Sequence, residues 1–459
     1  MNIKFNGSGI LLLLILGLFL TGSTVLWGQE DQVQVVLNEV AQRLTNREFS
    51  AALELLDTLP PGEAEKTPIR IIRASILNSA GRSADARRIA NEIIASDSRN
   101  TDALMILADA AAIDGRDRER RTMLDRVIGI DPGNTRALND LGNINIRNRN
   151  LRVAAGYFDR ALASDPDNGE ALVGRAAVHR YNRESRNAER LLNRAIYLYP
   201  DWARPLQERA RLYMGSSFYS DALEDLTAAL ALEPDNYWML VDYGLVLMEM
   251  DRRQDALESF NKAISVDPDT FMAYVYTAGI KDQMGDYAGA EHDYVILARL
   301  NPDYYFAYEA LGVIRMRNGQ WASARDAFLD AYKKAPREYS YAILASLNWM
   351  RAGRQTDPKQ FLAQVMRTAP RDSLDFAILR MLHDLSGDND VAARIEREQN
   401  IYTKSRMLFY LATYYDIRGN KILADRFHLM VRDLDAYVSI EFQLNESILE
   451  QRGFTREQQ

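Results

Sequence analysis

The chain has 459 residues, a formal net charge of −8 and no cysteine. The acidic balance argues against sequence-independent nucleic-acid binding, which needs a basic field. The missing cysteines exclude disulfides and attachment of lipid at a lipoprotein box, so stability has to come from packing alone. An apolar share of 47% beside 26% charged residues is ordinary for a well-packed soluble protein.

At the N-terminus, Lys4 precedes an apolar run from Ile10 to Leu20, followed by Thr21-Gly22-Ser23-Thr24. A charged start, a short apolar stretch and small residues form the pattern of a secretory signal peptide. The run falls short of the ~20 residues that span a bilayer. Extending it to Trp27 passes through Gly17 and the Thr21–Thr24 cluster, so an uncleaved membrane anchor is the alternative. Cleavage near Gly28 makes residues 1–28 the signal segment and leaves Gln29-Glu30-Asp31 as a polar start. With the composition, this points to an extracytoplasmic protein of a bacterial periplasm.

Downstream, Pro132, Pro166, Pro200, Pro234, Pro268, Pro302, Pro336 and Pro370 each follow the last by 34 residues. A fixed period of that size predicts stacked supersecondary units. Twelve residues before six of these prolines stands alanine: Ala154, Ala188, Ala222, Ala256, Ala290 and Ala324. Twenty-four before each proline the residue is small: Ala108, Gly142, Ala176, Ala210, Gly244, Ala278, Gly312 and Ser346. Close crossing of two helices has this requirement, because larger side chains would force them apart. Larger apolar residues recur around them at helical spacing, as in Leu138, Leu141 and Phe158. Gly81, Gly115, Gly285, Gly319, Gly353 and Gly387 mark left-handed ends of first helices. Each proline, six of the eight with Asp or Asn beside it, ends a second helix.

A 34-residue helix–turn–helix with small residues at positions 8 and 20 and proline at 32 resembles the tetratricopeptide repeat, TPR. The resemblance covers roughly residues 33 to 433. It implies an all-α fold, a right-handed TPR solenoid of about 11–12 repeats over 29–433, with a capping helix and polar tail over 434–459. Two units depart from the pattern, with Arg120 and Pro358 where alanine is expected. The last unit, Leu411-Ala412 through Gly419 to Ala424, is two residues short of the lattice. The stretch Phe409-Tyr410-Leu411-Ala412-Thr413-Tyr414-Tyr415 with Gly419, Ala424 and Phe427 is similar to the last repeat of NlpI-type envelope TPR lipoproteins. That family implies an adaptor that gathers envelope enzymes; this chain departs in lacking the lipidated cysteine and in having more units. The expected cap, Ala436 to Leu449, would turn Tyr437, Ile440, Leu444 and Ile448 inward.

Chemistry-bearing motifs are absent. His179, His292, His383 and His428 lie on different units and form no ligand-spaced pair, and no hydrolase, zinc-protease, phosphate-loop or dinucleotide motif occurs. Asp388 and Asp390 sit in a turn without the glycine and glutamate of a calcium loop. No catalytic, cofactor or metal site is therefore expected.

The TPR resemblance implies that positions 2, 5, 6, 9, 12 and 13 of each first helix line an inner wall. Carried onto this chain, the wall is polar and basic at first: Arg136, Asn139, Asp140, Asn143, Arg147, Arg180, Tyr181, Arg204, Gln207 and Arg211. Such groups suit carboxylates and peptide backbone. From Tyr237 it turns apolar. There it offers Trp238, Val241, Leu245, Met248, Met272 and Tyr276, then Phe306, Val313, Met316, Leu344, Leu347 and Met350. Methionine and aromatic side chains adapt to partner helices and extended peptides. A chain that curls on itself would instead bury these residues against its own later units. A chaperone-type carboxylate clamp is not expected: Asn143 and Arg204 fit it, but Asn139 replaces a lysine, Gly174 an asparagine and Glu208 an arginine. The expected function is a non-catalytic scaffold that binds envelope proteins or peptides, with no nucleic acid. A subunit of an outer-membrane assembly or secretion machine, or an enzyme with a site on a TPR array, are the alternatives.

Overall fold

The computed structural model describes residues 29–353 and 358–454. The expected signal segment and the end of the polar tail lie outside them. The described residues are all helical, without strands. Contacts divide the chain after Leu232 into two units.

In the first unit, successive hairpins pair α1 (Gln29–Thr45) with α2 (Phe49–Asp57), and, after the single turn α3 (Pro61–Ala64), α4 (Thr67–Ser79) with α5 (Ser83–Ser96). Then come α6 (Thr101–Ile113) with α7 (Asp117–Ile130), α8 (Thr135–Arg147) with α9 (Leu151–Ser164), α10 (Gly169–Tyr181) with α11 (Ser185–Leu198), and α12 (Ala203–Met214) with α13 (Tyr219–Leu232). The second unit pairs α14 (Tyr237–Glu249) with α15 (Arg253–Val266), α16 (Phe271–Gln283) with α17 (Tyr287–Leu300), and α18 (Tyr305–Arg317) with α19 (Trp321–Lys334). It continues with α20 (Tyr339–Arg351) and α21 (Pro358–Val365), α22 (Leu374–Asp384) and α23 (Asp388–Glu396), and α24 (Ile401–Ile417) and α25 (Lys421–Asp433). It ends on the unpaired α26 (Ile440–Gln451).

The local causes repeat with the sequence. Asn100, Asn134, Asn168 and Asn236 cap first helices, their side chains accepting from the backbone N–H groups of Ala103, Ala137, Ala171 and Met239. Such a cap is worth ~1 kcal/mol over alanine. The turns inside hairpins are left-handed where expected, at Gly81, Gly115, Gly285 and Gly319 with φ of 69–79°. Where glycine is missing, Arg149, Arg183 and Asp251 take the same conformation, with φ of 56–62°. The six recurrent alanines from Ala154 to Ala324 are fully buried at the helix crossings.

Departures have visible reasons. Arg120, in an alanine position, is buried and donates to Asp140 at 3.0 Å. Pro358 stands at the first position of α21, where no backbone donor is needed, and α21 runs for only 8 residues against 14 in a regular second helix such as α19. At the next turn Leu385, not Gly387, ends the first helix with φ 56°, and Gly387 precedes α23. The cap begins at Ile440 rather than Ala436. Tyr437 therefore lies outside it, 67% exposed, while Phe442, Leu444 and Leu449 are the apolar residues it buries.

Within the second unit the shortened hairpins break the regular stack. First helices two hairpins apart, α20 and α24, come into contact, and α26 packs on α24 and α25 and also reaches α18. Their side chains form one large core around Ile343, Leu344, Phe409 and Tyr410. No described helix is long and apolar enough to cross a membrane.

Candidate partner-binding wall

In the first unit the expected basic positions are cross-braced by acids from neighbouring first helices. Arg136 on α8 pairs with Asp109 on α6 at 2.6 Å, and Arg204 on α12 with Glu170 on α10. Glu208 on α12 sits between Arg180 at 3.2 Å and Arg211 at 2.8 Å. Burial pushes the Glu208 carboxyl up, but the charges of Arg211, Arg180 and Arg204 outweigh it and hold it below the usual carboxylate range. At Asp109 the balance goes the other way: burial raises the carboxyl more than Arg136 lowers it. Asn139 is buried and donates to Asn168 Oδ1 at 2.8 Å, so it serves the next cap instead of facing outward. Asn143 is half-buried, and Arg147 is exposed. Tyr181 is exposed, with the guanidinium of Arg180 4.7 Å and that of Arg149 5.3 Å from its ring centre. This half is therefore an ion-pair lattice with a small arginine–tyrosine patch, not a row of free cations. Asp109, Glu170 and Glu208 were not counted into the wall from sequence. The signal was there, an acid on the first helix adjacent to each arginine's own.

In the second unit the apolar positions separate into three groups. Trp238 and Phe306, once and three times thirty-four residues beyond Arg204 at the same repeat position, are 47% and 48% exposed. Each is backed by its neighbour: Tyr237 edge-on to Trp238 at 5.1 Å, Tyr305 stacked on Phe306 at 4.2 Å. Met272, at the same position between them, is half-buried, as are Leu245, Met248 and Tyr276. Tyr276 stacks on the core ring of Phe260 at 5.0 Å. Val241 is buried.

The expectation fails for the third group. Val313, Met316, Leu344, Leu347 and Met350 are buried in the core that includes Phe442 and Leu444 of α26. They occupy wall positions, but the chain's own last helices cover them. What remains uncovered in this unit is the face carrying Trp238, Met272 and Phe306. Among the described residues no group of acids and histidines is placed to hold a metal ion.

The tetratricopeptide repeat family model matches residues 73–135, 139–202, 208–269 and 281–339, more than half of the chain. The chain belongs to the tetratricopeptide repeat family. Among solved structures, PilF of Pseudomonas aeruginosa is 20% identical, the match covering 44% of this chain and 92% of that one with a TM-score of 0.40. PilW, a widely conserved type IV pilus biogenesis factor, is 18% identical over 44% of this chain and 94% of its own, TM-score 0.40. YrrB, a TPR protein with an unusual peptide-binding site, is 17% identical over 41% and 95%, TM-score 0.35. No curated protein matches the chain.

The TPR geometry also explains the missing carboxylate clamp. A side chain on Gly174 would place its Cβ 2.3 Å from Cε1 of the buried Phe158, so no asparagine fits there. Glu208 is already the counter-ion of two arginines.

Proposed function

We propose that this TPR protein is a non-catalytic scaffold that holds polypeptide partners against the first-helix face of its second unit. One observation carries the reading: two large aromatic side chains, Trp238 and Phe306, stand exposed at the same repeat position, with Met272 between them. Exposed aromatics at a fixed interval, each braced from behind, are what an extended or helical partner docks against. The arginine–tyrosine patch of the first unit, Arg180 and Arg149 about Tyr181, adds a site for acidic groups of a partner. The proposed location is extracytoplasmic, on the strength of Lys4, the Ile10–Leu20 run and the small residues after it. Partners would then be envelope proteins or their exposed segments.

The test is photocrosslinking from positions 238 and 306 in cells, followed by Trp238→Ala with Phe306→Ala. Both positions should capture the same partner, and the double variant should lose it while its helicity stays unchanged. Equal recovery by the folded double variant would reject the wall as the interface. N-terminal sequencing of the mature protein tests the location: a start near Gln29 supports it, an intact Met1 rejects cleavage.

A further inference from the structure

The last helix covers wall positions that other repeats leave uncovered, and it does so through polar contacts. Glu441, in the first turn of α26, is buried and accepts from Tyr410 Oη at 2.5 Å. Arg406, which pairs with Asp375 of α22 at 3.7 Å, brings a positive charge into its neighbourhood, and Glu309 of α18 is close enough to be raised by Glu441. Tyr410 thus serves Glu441, Arg406 serves Asp375, and Tyr341 donates to Glu309. At the other end, Arg452 pairs with Asp416 of α24 at 2.7 Å and with Asp425 of α25. Arg351 of α20 holds the same Asp416. Between these two clasps Phe442, Leu444 and Leu449 are buried apolar anchors, Asn445 exchanges two hydrogen bonds with His428, and Glu446 pairs with Arg432 at 3.0 Å. The seam is incompletely filled: a cleft of about 530 Å³ runs between Trp321 and Met350 on one side and Ile448 and Arg452 on the other. The segment before α26 is a strap, with Asp435 in the left-handed region (φ 51°) and Tyr437 and Val438 exposed.

We propose that α26 is a displaceable resident of a helix-binding surface built by α18, α24 and α25, and that a partner helix with the same features competes for it. The required features are a carboxyl or amide oxygen in the first turn to accept from Tyr410, two aliphatic or aromatic side chains three to eight positions on, and a basic residue at the end to meet Asp416. The inference rests on the scaffold reading above and names a second docking site, apart from Trp238 and Phe306. A helix held by discrete polar contacts and a few apolar anchors beside an unfilled cleft can be exchanged for another that offers the same groups.

The experiment uses a fluorescent synthetic peptide of residues 436–454 and the full chain. Anisotropy should show at least tenfold tighter binding to a Phe442→Ala/Leu444→Ala chain, whose resident helix is weakened, than to the parent. A peptide carrying Glu441→Lys should bind at least tenfold more weakly than the unaltered peptide. Equal affinity for parent and variant, or no binding to a variant shown to be folded by circular dichroism, overturns the proposal. Because the chain has no cysteine, Leu444→Cys gives an independent reading that keeps the fold closer to the parent. Its thiol should be protected from a maleimide, and added peptide should accelerate labelling to a plateau. A labelling rate that ignores the peptide also overturns it. The Trp238→Ala/Phe306→Ala chain separates the two sites: it should release the same α26 with the same peptide dependence whether or not the scaffold partner is lost.

Discussion

The ring of Phe158 occupies the space that a side chain on Gly142 would need. A Cβ at 142 would lie 2.5 Å from Cζ, and on the other side a Cβ at Gly174 would lie 2.3 Å from Cε1. The same fit recurs with Phe260 against Gly244 and Phe328 against Gly312, each at 2.6 Å. Where the ring is replaced by Leu192 or Leu226, the facing residue is Ala176 or Ala210. In these repeats a phenylalanine at position 24 goes with glycine at position 8 and a leucine with alanine, whereas Tyr294 at position 24 stands with Ala278.

Gly142→Ala tests this. In an open helix the change gains up to ~1 kcal/mol. Here the ring is fully buried between two glycines and cannot retreat, so a net loss of ~1–3 kcal/mol is expected from overpacking. Adding Phe158→Leu should recover part of it, reproducing the Ala176–Leu192 pair, and a double-mutant cycle in urea should show a coupling of ~0.5–3 kcal/mol. Stabilisation by Gly142→Ala with Phe158 in place would mean the contact is slack.

Much of the fold was legible from period alone. Every alanine placed twelve residues before a proline lies at a helix crossing, and the left-handed turns fall at the glycines or their equivalents, except at Leu385. The coupling of Phe158 to Gly142 does not follow from the two recurrent columns, because which large residue meets which small one depends on the crossing geometry. The inner wall was legible by position but not by exposure. Trp238 and Val313 look alike in the pattern. They differ because Pro358 starts a shortened α21, the stack loses its register, and α24 and α26 fold over the later repeats. The counter-ions of the first unit's arginines do not stand out in the sequence because some lie about one repeat away, 27 residues for Asp109 and Arg136, 34 for Glu170 and Arg204.

Arg209 and Asp225 give the second prediction. Two guanidinium nitrogens of Arg209 meet the Asp225 carboxylate at 2.8 and 2.6 Å, and the carboxylate is almost fully buried. Arg209→Met leaves that charge without its partner and should cost ~3–5 kcal/mol, whereas Arg209→Met with Asp225→Leu should lie within ~1–2 kcal/mol of the parent. Denaturant midpoints of the three chains decide it; equal midpoints for single and double variants would mean that the ion pair does not govern the cost.

His428 is expected to make the C-terminal helices acid-sensitive. Asn445 Nδ2 donates to the His428 carbonyl at 3.0 Å, which leaves Asn445 Oδ1 to accept from Nδ1–H of the ring at 2.6 Å. Nε2 is then buried without a partner. Burial, first of all, lowers the imidazole from 6.5 to about 4. The folded state binds fewer protons than the unfolded one, so stability is full above pH 6.5 and falls as pH drops from 6.5 toward 4. The total loss is roughly 3 kcal/mol. His428→Gln keeps a hydrogen-bonding side chain without this titration. Melting temperatures of the parent should therefore fall relative to the variant across that window, and parallel profiles would refute the role.

Glu441 acts in the opposite direction, which is why single variants are needed to see either group. Burial raises its carboxyl above the ordinary 4.5 more than the Tyr410 hydroxyl and Arg406 lower it, and Asp375 adds to the rise. The folded state therefore holds this proton more tightly than the unfolded one, and stability is lost as pH climbs from about 4.5 through the raised value. Glu309 shifts the same way, for the same first cause. Glu441→Gln keeps an oxygen to accept from Tyr410 and removes the charge. It should stabilise the docked α26 at pH 7 and make no difference near pH 4, read as slower maleimide labelling in a Leu444→Cys background. Faster labelling of the Gln variant at pH 7 would mean that the carboxylate's attraction to Arg406 exceeds its burial cost, and that α26 is held by charge.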